Sequence, residues 1–144
     1  MSNSEMNRQD RRYFAENPMA LAFLGDAVYE VEIRRYVYEQ GAVRPDHMNA
    51  EAVRFVRAEA QARAYERLLD ELTEDETAVS RRAKNHKITS MPGNVNVQIY
   101  KKATAFEALL GYLDLCGRGD RVRELIRRAI AIIESETINT ERRH

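Results

Sequence analysis

Two acidic residues stand in surroundings where acids are unusual. Asp26 lies within residues 21–28 (LAFLGDAV), and Glu107 is enclosed by Ala103-Thr104-Ala105-Phe106 and Ala108-Leu109-Leu110. Aspartate is a poor helix former, and acids are seldom buried without a partner. Carboxylates in such segments are expected to be buried and to need cations or donors to hold their charge. Each has a glycine close by, Gly25 and Gly111. A glycine inside a helix costs about 1 kcal/mol relative to alanine, so its presence points to close approach by another helix backbone. Oxygen donors of this kind suit a hard cation such as Mg²⁺, which keeps room for waters and a phosphate. The alternative is a pair of independent salt bridges to arginines. Glu30, one turn after Asp26, is expected on a solvated face with Glu32, Arg34 and Arg35.

Other chemistries find less support. His47, His86 and His144 are far apart and make no ligand spacing. His86 reads as a loop residue rather than a general base. The single cysteine, Cys116, excludes an internal disulfide and a cysteine cluster for zinc, and reads as a small filler on a helix. There is no glycine-rich phosphate loop and no G-x-S-x-G elbow.

The elements that must position these residues read as helices. The 144 residues amount to one domain, 44% hydrophobic and 32% charged. No apolar run is long enough to span a bilayer, and the polar start resembles no secretory signal, so a cytoplasmic protein is expected. Asn17-Pro18 supplies a cap and a first-turn proline. Leu21, Leu24, Val28 and Val31 then recur at helical spacing up to Gly41. A second helix is expected after Pro45-Asp46, with Val53, Val56, Ala60, Ala64 and Leu68 on one stripe. Thr73 and Glu76 match a capping box, opening a short helix into Ser80-Arg81-Arg82. Residues 87–96 (KITSMPGNVN), with Pro92-Gly93 and two asparagines, read as loop. A long helix is expected from residue 97 to about 115, ended by Gly117 and Gly119. The last runs from Asp120, as cap, to about residue 134, with Leu125, Ala129 and Ile133 facing inward. Residues 1–136 form the expected domain, and 137–144 a flexible tail.

Net charge is zero, from 23 basic and 23 acidic residues, but the charge is segregated. Residues 81–102 hold six basic side chains (Arg81, Arg82, Lys84, Lys87, Lys101, Lys102) and no acid. Such a stretch can steer a polyanion to one face.

The hexapeptide Phe23-Leu24-Gly25-Asp26-Ala27-Val28 resembles the signature helix of the ribonuclease III catalytic domain. Phe106-Glu107-Ala108-Leu109-Leu110-Gly111 is similar to that family's second acidic motif. The two occur in the same order, about eighty residues apart. There are also departures. The family's additional acids would fall at Met19, Ala22 and Thr104, and the sequence stops where longer members continue into a double-stranded-RNA-binding domain. In these respects, and across residues 97–112 with the basic loop before them, it resembles Mini-ribonuclease III, the short bacterial branch of the family. The resemblance covers roughly residues 17–134.

That resemblance implies an all-α endonuclease domain, a helical bundle forming a homodimer, with Mg²⁺ held by Asp26 and Glu107 as catalytic and metal-binding residues. The dimer is expected to join through the helix around Gly25, with Phe23 and Leu24 nearby. It implies double-stranded RNA as substrate, the 23S ribosomal RNA precursor in particular, with a ribosomal protein as a candidate partner. With two assured carboxylates, one Mg²⁺ per site is expected. An A-form duplex offers phosphates and 2′-hydroxyls more readily than base edges. Arg81, Arg82, Lys84 and Lys87 are then candidates for phosphate, and Asn85, Asn94 and Asn96 for hydroxyls. The alternative is an inactive relative that only binds structured RNA during ribosome assembly.

Overall fold

A computed structural model of the chain describes residues 6–41, 43–88, 90–91 and 93–142, with side chains described to residue 137. Seven α-helices are described: α1 (Arg8–Phe14), α2 (Pro18–Glu39), α3 (Pro45–Val56), α4 (Ala58–Leu68), α5 (Glu74–Lys84), α6 (Val97–Leu115) and α7 (Gly119–Arg142). A 3₁₀ turn, Leu69–Glu71, follows α4. No strand occurs among the described residues, so the fold is all-α as expected.

Helix α6 forms the axis of the bundle. Ala105, Phe106, Ala108, Leu109, Leu110, Tyr112 and Leu113 are completely buried, and α1, α2, α4, α5 and α7 pack around them. A helix apolar on all sides belongs in the interior. Its start is fixed by Asn96, whose side-chain oxygen accepts from the backbone N–H groups of Gln98 (2.9 Å) and Ile99 (3.2 Å). It ends where Gly117 takes a positive φ of 75°.

Helix α2 begins as read, with the Asn17 side chain capping Met19. Its core stripe differs from the expected one: Leu21, Ala22, Gly25, Tyr29, Ile33 and Val37 are buried, while Val31 is 53% exposed. The helix is apolar on more than one side, so local spacing does not tell which side the bundle covers.

The expected single helix from Pro45 to Leu68 is broken at Arg57, where ψ is 152°. The break is held by core side chains. Tyr29 Oη donates to the Phe55 carbonyl (2.8 Å), and Gln61 Nε2 donates to the Val56 carbonyl (2.7 Å). These bonds satisfy acceptors that continued helix would have used. The break re-aims α4, so that Ala60, Gln61, Ala64 and Leu68 turn inward and Val53 stays 54% exposed.

The capping box is present: Glu76 Oε1 accepts from Thr73 N (2.9 Å), and Thr73 Oγ1 from Glu76 N (3.4 Å). Glu76 is also buried and bonded to Arg121 (2.8 Å). Arg118 ties α1 to α5 by contacting Asp10 (2.7 Å) and Asp75 (3.0 Å). Helix α1 carries no expected element in the sequence; it is held by that arginine and by Phe14 against Tyr112. Cys116 is the half-buried residue that closes α6. Helix α7 starts one residue earlier than expected, with Asp120 in its first turn rather than as cap. Its helical backbone continues to Arg142, past residue 134, near which the helix was expected to end, and into the expected tail. Leu125, Ala129 and Ile133 face inward as expected. Pro92, part of the expected turn, and residues 143–144 of the expected tail lie outside the described residues.

Candidate active site

The site is built on the crossing of α2 and α6. A Cβ added to Gly25 would lie 1.6 Å from the Glu107 carbonyl oxygen, and one added to Gly111 would lie 2.0 Å from the Leu21 carbonyl oxygen. Both obstacles are backbone, so no rotamer change can relieve them. The glycines therefore let two helix backbones touch, as their unusual placement implied. This close approach sets Asp26, next to Gly25, beside Glu107, one turn before Gly111. Tyr29 stacks edge-on against Phe106 (centroids 5.4 Å apart), filling the adjoining space.

The two carboxylates differ in environment. Asp26 is exposed and Glu107 is half-buried, so the expectation that both are buried holds only in part. Burial and the charge of Asp26 push the Glu107 carboxyl up to about 8. The neighbouring Gln61 side-chain amide opposes this, lowering the Glu107 pKa. Two like charges held side by side favour a proton or a cation between them. Gln61 is itself buried, and its Oε1 has no hydrogen-bond partner among the described residues. No cluster of three or more His, Cys, Asp or Glu side chains suited to a metal occurs among the described residues. Two carboxylate groups side by side nonetheless offer hard oxygen donors. Such a set fits an ion that retains several waters.

Gln61 was not anticipated from the sequence. The one local signal is an amide among Ala60, Ala62 and Ala64 on an inward-facing stripe. Glu30 pairs with Arg34 (3.0 Å) on the surface, as expected.

The expected polyanion-binding residues all lie between the end of α5 and the start of α6. Arg81 and Lys87 are exposed, Lys84 is half-buried, and Asn85 closes α5. Asn94 is exposed with a positive φ of 112°. Two of the set have structural duties. Arg82 Nη2 donates to the Glu16 carbonyl (2.6 Å), and its guanidinium lies over Phe14. Asn96 spends its side-chain oxygen on capping α6. This segment also walls a cleft of about 260 Å³ with α6 and the start of α2.

The Ribonuclease III domain family model matches residues 19–118, which includes both helices of the crossing. The chain belongs to the ribonuclease III family. A Mini-ribonuclease 3 from Brevibacillus brevis is 42% identical over 121 residues, covering 84% of this chain and 90% of that one. A Mini-ribonuclease 3 from Thermoanaerobacter is 41% identical, covering 82% and 83%. A crystal structure of a Fusobacterium nucleatum protein superposes with a TM-score of 0.76 at 32% identity, covering 85% of this chain and 97% of that one. The ribonuclease III likeness thus extends over most of the chain, and the relatives it includes are named Mini-ribonuclease 3. No helix among the described residues is long and apolar enough to cross a membrane.

Proposed function

We propose that the chain is an endoribonuclease that hydrolyses phosphodiester bonds of double-stranded RNA with Mg²⁺ at Asp26 and Glu107. The observation carrying this reading is the carboxylate pair fixed by backbone contact at the α2–α6 crossing. A bound Mg²⁺ would supply an activated water and neutralise charge on the scissile phosphate. Asp26, being exposed, would hold the ion on the side open to incoming RNA. Glu107, less exposed, must give up its proton to act as a ligand. The Gln61 amide favours the charged form of Glu107, and the break at Arg57 fixes Gln61 through the Val56 carbonyl.

The active assembly is a homodimer, each copy cutting one strand. Gly25 does not serve that interface, because α6 of the same chain covers it. The opposite side of α2 does: Met19, Phe23, Ala27 and Val31 recur every fourth residue and are exposed, Phe23 to 85%. A stripe of this kind on a soluble protein marks an interaction site. RNA is gripped by Arg81, Lys84 and Lys87 through phosphates, with Asn85 and Asn94 near 2′-hydroxyls. Arg82 and Asn96 contribute while also holding the fold. The 23S ribosomal RNA precursor is the proposed substrate, and a ribosomal protein that shapes it is the proposed partner. Pure protein incubated with a plain RNA duplex, with and without Mg²⁺, tests the activity. Cleavage only with the metal supports the reading, and an intact duplex under both conditions contradicts it.

A further inference from the structure

The cleft beside the crossing has a composition that the carboxylate pair does not explain. His86 and Lys87 line it from the segment after α5, and Lys101 lines it from α6. Three hydroxyl groups join them, from Ser90, Tyr100 and Thr104. None of the three basic side chains has an ion-pair partner among the described residues. The neighbouring Lys102 does, bonding to Glu66 on α4. No acid lines the cleft, and its wall on α2 is the uncharged Met19. Thr104, otherwise buried, lines the cleft from α6. Cations and hydroxyl donors converging without acids are the chemistry of a phosphate site.

The location narrows the source of that phosphate. Thr104 precedes Glu107 by about one turn, roughly 5 Å along α6, and Met19 precedes Asp26 by about two turns of α2. The cleft therefore opens within a nucleotide or two of a phosphate placed at the carboxylates. We infer that this cleft seats a backbone phosphate of the same RNA strand, next to the one being cut, through Lys101, His86 and the Thr104 hydroxyl. This rests on the ribonuclease reading and adds to it a fixed register. One phosphate held in the cleft sets which neighbouring bond meets Asp26 and Glu107. Lys101 is thus a positioning residue, distinct from the exposed Arg81 and the half-buried Lys84, which lie outside the cleft.

The test uses the full chain in chelator, so that binding is read without cleavage. Inorganic phosphate and a short RNA duplex are each titrated while the His86 ring resonances are followed by NMR. Duplex affinity is then measured against salt for wild type, Lys101→Gln and Lys102→Gln. The expected result is a His86 shift with both probes. Lys101→Gln should bind the duplex about tenfold more weakly, with a salt slope lower by about one unit. Lys102→Gln, which removes the same charge outside the cleft, should change neither by as much. With Mg²⁺ restored, Lys101→Gln should also scatter the cut over neighbouring bonds. Equal behaviour of the two lysine variants, with no His86 shift on duplex addition, overturns the inference even if wild type cuts RNA normally. A His86 shift with phosphate from a protein that neither binds nor cuts duplex overturns the ribonuclease reading instead, leaving an anion site of other purpose.

Discussion

The backbone of Gly25 rests against the carbonyl oxygen of Glu107, so close that a Cβ on residue 25 would come within 1.6 Å of it. The fold and the carboxylate pair therefore depend on one crossing point. Gly25→Ala must push α2 and α6 apart. Overpacking of this kind costs about 1–3 kcal/mol, and more where backbone is the obstacle. Thermal denaturation should show a large fall in Tm, with Gly111→Ala behaving alike. A Tm for either variant indistinguishable from that of wild type would be incompatible with the crossing described.

The Glu107 carboxyl has a pH signature. Burial and Asp26 raise its pKa from 4.5 to about 8 in the folded, metal-free chain. Between those values the folded chain holds a proton that the unfolded chain has released. Metal-free stability should therefore fall as pH rises from about 4.5 to 8, by about 1.4 kcal/mol per unit at most. Glu107→Gln removes the group and should flatten that part of the profile. Mg²⁺ binding must displace the proton, so affinity should climb with pH up to about 8 and level off above. Urea midpoints in chelator across this range check the first point; parallel profiles for wild type and variant would refute it.

Much of this arrangement is legible in the sequence, and the exceptions have physical causes. Asn17-Pro18, Thr73 with Glu76, and Gly117 are local devices, so they mark helix ends that the structure keeps. Gly25 and Gly111 are legible as close-approach positions because glycine inside a helix needs a reason. The break at Arg57 is not legible, since Tyr29 and Gln61 stabilise it from elsewhere in the fold. Gln61 is hidden for the same reason. The inward stripe of α2 differs from the expected one because that helix is apolar on two sides, only one of which the bundle covers.

Within the basic segment, charge and structural duty can be separated. Changing Arg81, Lys84 and Lys87 to alanine should weaken duplex binding with Tm unchanged. The salt slope should drop by about one unit for each phosphate no longer neutralised. Arg82→Ala should lower Tm as well, because it frees the Glu16 carbonyl and uncovers Phe14. Asn96→Ala should cost about 1 kcal/mol by removing a helix cap. Along α7, Arg121, Arg123 and Arg128 are already paired with acids and offer a poor substitute grip. An unchanged salt slope in the triple variant would move RNA binding away from this segment.

The exposed stripe on α2 predicts a dimer. Phe23→Glu changes a side chain that is 85% exposed in the monomer, so the fold should survive. Light scattering should then report the 16.7 kDa monomer, against twice that mass for wild type. A monomeric wild type at micromolar concentration would remove the interface from the account.

The central claim is that Asp26 and Glu107 together hold the ion that cuts RNA. Its most direct test is single-turnover cleavage of a duplex RNA in Mg²⁺ by wild type, Asp26→Asn and Glu107→Gln, with duplex affinity and Tm measured on the same samples. Both substitutions keep shape and remove the charge that binds the ion. Each variant should bind the duplex as wild type does, unfold at a similar or higher temperature, and cut at less than about a hundredth of the wild-type rate. Cleavage by either variant at a rate comparable to wild type would place the chemistry elsewhere.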